Sequence, residues 1–180
     1  MRGFLGIPLP AALAEELADA ARDVPSLKAI PPQSMHLTIR FLGDIADPTK
    51  VADALRPVAA AHQPFDMILK GMGAFPDTSQ ARVLWVGLDR GDLQAGALAK
   101  GVENALVGLG FQRERRPFRG HITLGRFKRP QFVSLPRTHS FGAVRAERLV
   151  LYQSILSEHG AVYSVLEEMS LGAGMTPGRD

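Results

Sequence analysis

The sequence predicts an α+β (mixed α/β) fold of two lobes related by a pseudo-twofold, and three observations predict it. The phrase His-apolar-Thr-apolar occurs twice, as His36-Leu37-Thr38-Ile39 and His121-Ile122-Thr123-Leu124, 85 positions apart. In a strand, period-2 alternation puts the histidine and threonine of each copy on one face and the two aliphatics on the other. Each copy is surrounded by a helical segment and further strand-like segments, so the repeat is one of layout more than of sequence. Strand and helix patterns interleave and end in a hairpin pattern, which favours α+β over a bundle or an all-β sandwich.

The elements follow in chain order. Residues 1–7 read as a short apolar strand. Pro8 and Pro10 interrupt the apolar region, which suits a strand leading into a helix better than a secretory leader. Pro10 sits as the first residue of an amphipathic helix running to about Asp23. Pro31 and Pro32 keep the approach to a strand at 35–41 extended, and Gly43-Asp44 ends that strand. Pro48 opens a second helix through about His62. Strands at 65–69 and 82–88 flank the turn-rich Pro76-Asp77-Thr78-Ser79, and 91–109 reads as a glycine-diluted third helix. An arginine-rich loop precedes the strand at 121–126. A proline-punctuated loop follows, and then strands at 146–156 and 162–171 flank Glu158-His159-Gly160 as a hairpin. Residues 1–171 thus form one bilobal domain, and the glycine- and proline-rich 172–180 form a disordered tail.

A chain of 180 residues can bury a good core, and 46% hydrophobic with 22% charged residues is a globular composition. It contains no cysteine, which excludes disulfides and thiolate metal sites and fits a reducing cytoplasm. No stretch approaches the roughly 20 apolar residues of a membrane span, so no membrane partner is expected. Net charge is only +3, but its distribution is uneven. Arg113, Arg115, Arg116, Arg119, Arg126, Lys128 and Arg129 crowd one segment against a lone Glu114. They bracket the second His-x-Thr, and such a field favours a phosphate-bearing or nucleic-acid partner. A solvated arginine-rich loop is an equally ordinary reading for a chain with a pI of about 9.6.

Two imidazoles on opposite sides of a phosphorus atom supply a general base and a general acid near neutral pH. Threonine hydroxyls and guanidinium groups can hold the phosphate oxygens. Either His-x-Thr alone is more often structural, whereas two copies with matching aliphatics, one set among arginines, reverse that preference. A zinc site is poorly supported, because cysteine, an H-x-x-x-H pair and carboxylates at ligand spacing are all missing. No phosphate-binding G-x-x-x-x-G-K-[ST] loop, dinucleotide fingerprint or serine-hydrolase elbow occurs, so no metal and no cofactor is expected. His62, His139 and His159 read as surface residues.

The chain resembles the two-histidine phosphoesterases, specifically the LigT-like RNA 2′,3′-cyclic phosphodiesterases. The resemblance rests on Pro-Pro-x-x-x-His-Leu-Thr-Ile-Arg-Phe-Leu-Gly at 31–43 and Phe-Arg-Gly-His-Ile-Thr-Leu-Gly-Arg at 118–126. Leu149-Val-Leu-Tyr-Gln-Ser154 and Gly160-Ala-Val-Tyr163 resemble the family's closing hairpin. It implies two antiparallel-rich sheets forming a central cleft with helices outside. It also implies metal-independent opening of an RNA 2′,3′-cyclic phosphate to a 2′-phosphate; a cytoplasmic enzyme is expected, and nothing in the sequence demands a protein partner or more than a monomer. By the same resemblance His36 protonates the leaving 3′ oxygen, His121 activates water, Thr38 and Thr123 bind phosphate oxygens, Arg126 contacts phosphate and Phe41 lies beside the base. Joining of tRNA halves through a 2′–5′ linkage is the nearest alternative activity, followed by non-catalytic binding of RNA ends. An adaptor that uses the repeat only for packing would bury its histidines.

A geometric objection stands against Phe41 and Arg126. Each lies five residues after its histidine, an odd offset that an unbroken strand would aim away from the cleft. The strand must end, twist or bulge there. Arg40, in phase with His36, or Arg115, Arg116 and Arg119 could add further phosphate contacts.

Overall fold

The structure, a computed structural model, describes residues 1–173. Within them the period-2 segments form one antiparallel nine-stranded sheet, and the 3.6-period segments form three helices packed against its apolar face. The strands are β1 (Arg2–Pro8), β2 (Leu27–Ala29), β3 (His36–Asp44), β4 (Phe65–Phe75), β5 (Ala81–Arg90), β6 (His121–Gln131), β7 (Ser140–Ala146), β8 (Arg148–Ser157) and β9 (Gly160–Ser170). The helices are α1 (Ala11–Arg22), α2 (Pro48–Ala61) and α3 (Asp92–Gly108).

Spatial order is β7-β4-β5-β6-β3-β1-β8-β9, with β2 added beside β6. The centre of this path is the contact of β6 with β3, through the single pair Leu37 with Ile122. Counting outward from that joint, β6 matches β3, β5 matches β1, β4 matches β8 and β7 matches β9. The expected pair of sheets is therefore the two halves of one continuous sheet, related by a pseudo-twofold through the joint.

One face of every central strand is apolar and buried: Leu5 and Ile7, Leu37 and Ile39, Leu84 and Val86, Ile122 and Leu124. These side chains share a cluster with Leu13 and Leu17 of α1, Val51 and Leu55 of α2, and Leu98 and Val102 of α3. Truncating any one of them to alanine costs about 2–5 kcal/mol. Pro10 occupies the cap position just before α1. At α2 the Asp47 side chain accepts from the Lys50 N–H at 3.1 Å, and Pro48 fills the first turn where no N–H is missed. The turn into α3 runs through Gly91 at φ 91°, where a Cβ would lie 2.7 Å from the Asp66 carbonyl oxygen, so only glycine fits.

Several segments differ from their sequence reading. Strand β7 lies inside what reads as a proline-punctuated loop, because its pairing with β4 slips near Gly142 and breaks the alternation of Phe141 with Val144 and Ala146. Strand β2 is too short to carry a pattern. Pro32–Ser34 is a 3₁₀ turn rather than an extended approach, closed by hydrogen bonds from Ser34 N to Pro31 O at 2.9 Å and from Met35 N to Pro32 O at 3.1 Å. Strand β4 runs on to Phe75 past Gly71, whose φ of 77° accompanies a register slip. Of the expected tail, residues 174–180 lie outside the described residues, while Gly172 is tied down by a 3.1 Å bond to the Ala59 carbonyl. No helix among the described residues is long and apolar enough to cross a membrane.

Candidate active site

Both His-x-Thr motifs open the two strands that meet at the joint. Antiparallel register about Leu37 and Ile122 sets Thr123 across from His36 and Thr38 across from His121. The four polar side chains therefore stand together on the face opposite the helices.

The two strands also depart from regularity at the same place. Opposite β1, His36 pairs with Pro8 and Thr38 with Gly6, but Leu5 pairs with Arg40 and Phe4 with Phe41, leaving Ile39 as an extra residue. Opposite β5, His121 pairs with Gly87 and Thr123 with Trp85, but Leu84 pairs with Gly125 and Val83 with Arg126, leaving Leu124 extra. Directly opposed residues share a face. Each bulge thus shifts the phase by one and returns Phe41 and Arg126 to the histidine face, which answers the odd-offset objection. Phe41 is 64% exposed, so it is no core residue, and its ring lies 5.9 Å from Phe4.

The same bulge moves Arg40 the other way. Its side chain turns to the helix side and pairs with Glu103 of α3 at 2.7 Å, so it is not a phosphate ligand in the cleft. Arg126 is exposed at its pseudo-twofold counterpart of Phe41, flanked by β2 and β5. The backbone packing of the second bulge explains Gly125, where a Cβ would come within 2.7 Å of Leu27 and of the Lys28 carbonyl.

The two imidazoles are held alike. His36 Nδ1 lies 2.9 Å from the carbonyl oxygen of Ser34, and His121 Nδ1 lies 2.7 Å from that of Arg119. A carbonyl only accepts, so Nδ1 carries the hydrogen in both rings and Nε2 is the nitrogen that can take up a proton. His36 Nε2 accepts from the Thr38 hydroxyl at 3.0 Å. The 3₁₀ turn at Pro32–Ser34 is what brings the Ser34 carbonyl under its ring.

Aromatic walls, which the sequence reading missed, surround the pair. Phe4 stacks on His36 with centroids 4.5 Å apart, and Tyr163 meets the same imidazole edge-on at 5.3 Å. Tyr152 stacks on Phe4 at 5.0 Å and lies 5.9 Å from His36. Phe75 contacts His121 edge-on at 4.9 Å, and Trp85 lies 6.3 Å away. Pairing of Phe4 with Phe41 and of Trp85 with Thr123 was the only signal available, and it needs the register. Burial pushes His36 down to about 4, against a weaker opposing effect of its bond to Ser34. Burial also lowers His121; its bond to the Arg119 carbonyl opposes this and the Arg119 charge adds to it. Both rings are half-buried and line the cleft rather than the core, unlike an adaptor's packing residues.

His139 and His159 are exposed, as expected, but His62 is half-buried at the end of α2 with Nδ1 donating to Val58 O at 2.7 Å. Among the described residues no three His, Asp or Glu side chains converge as a metal-holding group.

The sequence pattern described as LigT like Phosphoesterase matches residues 7–85 and 88–163, nearly the whole sheet and both motifs. The chain belongs to the LigT-like phosphoesterase family. Among relatives of this LigT-like phosphoesterase, the RNA 2′,3′-cyclic phosphodiesterase of Archaeoglobus fulgidus is 32% identical over 92% of this chain and 98% of its own length. That of Thermus thermophilus is 35% identical over 95% and 90%. The crystal structure of a Thermus thermophilus protein superposes with a TM-score of 0.80 at 30% identity, covering 96% of this chain and 98% of that one. Escherichia coli LigT complexed with 3′-AMP gives a TM-score of 0.80 at 26% identity, over 94% and 97%. The mixed α+β fold of this LigT-like phosphoesterase is thus that of its family.

Proposed function

We propose that the protein hydrolyses RNA 2′,3′-cyclic phosphate ends to 2′-phosphomonoesters by general acid and base catalysis between its two histidines. The observation that carries this reading is the pairing of two imidazoles on one face, each with Nδ1 committed to a carbonyl and Nε2 left as its proton-accepting nitrogen, at His36 bonded to the Thr38 hydroxyl. Relatives named RNA 2′,3′-cyclic phosphodiesterase, matched over most of both chains, support the substrate.

In this reading His121 Nε2 takes a proton from water as its oxygen attacks phosphorus. The bond from phosphorus to the 3′ oxygen breaks, and His36 Nε2–H gives that oxygen its proton. The products are a 2′-phosphate and a 3′ hydroxyl. Thr38, whose hydroxyl turns from His36 Nε2 to the ligand, and Thr123 hold the non-bridging oxygens, and Arg126 offsets their charge. Phe41, on the same face, supports the base. In the free enzyme burial keeps His36 neutral, so the acid must load its proton with the substrate, whose anionic phosphate offsets the burial penalty. The enzyme acts in the cytoplasm as a monomer.

Turnover of a short RNA ending in a 2′,3′-cyclic phosphate, with EDTA present, tests the reading. The expected product is the 2′-phosphate alone. A 3′-phosphate, or binding with no turnover, overturns it.

A further inference from the structure

We propose that the Arg40–Glu103 ion pair is a positioning device that holds the arginine segment 113–119 as a surface for RNA backbone phosphates 5′ of the reacting end. The inference rests on the reading that the substrate is RNA. Arg40 is the residue that the first bulge turns away from the cleft. Its Nε donates to Glu103 Oε2 at 2.7 Å and its Nη2 donates to the Gln112 carbonyl at 2.6 Å. Its Nη1 donates to the Phe41 carbonyl and lies 3.8 Å from Glu114 Oε2. The other Glu103 oxygen accepts from the Glu114 N–H at 2.6 Å, and Glu114 Oε1 accepts from the N–H groups of Arg115 and Arg116 at 2.9 and 3.3 Å.

The segment buries one apolar side chain, Phe118 at its end, against the core. Residues 112–117 are exposed, and their backbone is anchored through this pair, whose two side chains are each only 14% exposed. Burial alone would raise the Glu103 carboxyl, but the hydrogen bonds from Arg40 and Glu114 outweigh it and hold it below the usual range. Glu103 and Glu114 are both consumed by this scaffold. Arg115, Arg116 and Arg119 are left exposed, and none of them takes an ion pair among the described residues. The pair ties the bulged strand of the first motif to α3 and to the loop that runs into His121. A partly buried ion pair adds little net stability by itself, so its value lies in fixing geometry. A loop held in its bound shape binds phosphates without first losing conformational freedom. A mononucleotide fills only the catalytic cleft, whereas a longer RNA runs on over the segment.

Charge and positioning make opposite forecasts for Glu103→Ala. Removing a carboxylate beside the arginines would tighten RNA binding if charge alone mattered. Positioning instead predicts that Kd for an oligoribonucleotide ending in a 2′-phosphate rises about 5- to 10-fold, the cost of ordering one or two side chains. The ratio of kcat/KM for a cyclic-phosphate RNA to that for a 2′,3′-cyclic mononucleotide should fall alike. Glu103→Gln, whose amide oxygen can still accept, should recover part of both. Unchanged or tighter RNA binding by folded Glu103→Ala, or an equal loss on both substrates, overturns the proposal. If that variant fails to fold, the exposed double change Arg115→Ser with Arg116→Ser must lower the same ratio, and an unmoved ratio overturns it. Lack of turnover by the wild type on either substrate would refute the catalytic reading, while the Kd comparison would still judge the positioning.

Discussion

At His36 three effects meet in one ring: Phe4 stacks on it, the Ser34 carbonyl fixes its tautomer, and burial lowers its proton affinity to about 4. An unfolded histidine titrates near 6.5, so between pH 4 and 6.5 the unfolded chain binds more protons than the fold does. His36 therefore contributes stability that is full above pH 6.5 and is lost as pH falls through 4. The shift corresponds to about 3 kcal/mol. Denaturant unfolding at pH 7 and pH 4 should show the wild type losing about that much more than His36→Gln; equal losses would remove the burial argument. The two histidines and threonines were legible from sequence, because a tetrapeptide said twice needs only alternation to place them on one face. Their aromatic neighbours were not legible, since Phe4, Trp85 and Tyr163 reach the rings only through cross-strand register.

Among elements, the paired bulges in β3 and β6 matter most. Alternation alone sends Phe41 and Arg126 away from the cleft and Arg40 into it, and one extra residue in each strand reverses all three. A sequence read with period 2 cannot see an insertion that costs no letter of its own. Gly125 is the single hint, since a glycine within a strand often marks a bulge. The first motif carries Arg40 there instead and gives no hint. The same physics hid β7, whose slip at Gly142 erases its alternation. Gly125→Ala should push Leu27 and the Lys28 carbonyl away, costing about 1–3 kcal/mol, as overpacking does. It should also lower kcat/KM by turning Arg126 off the cleft face. Thermal denaturation and steady-state kinetics on the one variant check both, and a variant that loses stability with full activity would detach Arg126 from the site.

Over the whole molecule the pseudo-twofold makes a cleft with unlike walls. Both sides are aromatic, with Phe4, Phe41, Tyr152 and Tyr163 about His36 and Phe75 and Trp85 beside His121, and the His121 side is edged in addition by arginines. That division suits a ligand with a base at one side and a phosphate chain at the other. Raising salt from about 0.05 to 0.2 M should lower kcat/KM on RNA roughly 20-fold if about three phosphates are contacted. A cyclic mononucleotide should respond much less, and equal salt dependence of the two would place the arginines outside the binding path. The α+β class and the positions of α1 and α2 were readable because each carries a proline at its start and a clear apolar stripe, whereas α3 opens on Gly91 with no side-chain cap. Fusion of the halves into one sheet was not, because it rests on the single pair Leu37 with Ile122.

The most direct test of the two-histidine account is the single-turnover rate of His36→Ala and His121→Ala on RNA ending in a 2′,3′-cyclic phosphate. Each substitution should slow formation of the 2′-phosphate by about 10²–10⁴, the usual share of a general acid or base, in a protein that remains folded. A rate near that of the wild type from either folded variant would contradict it.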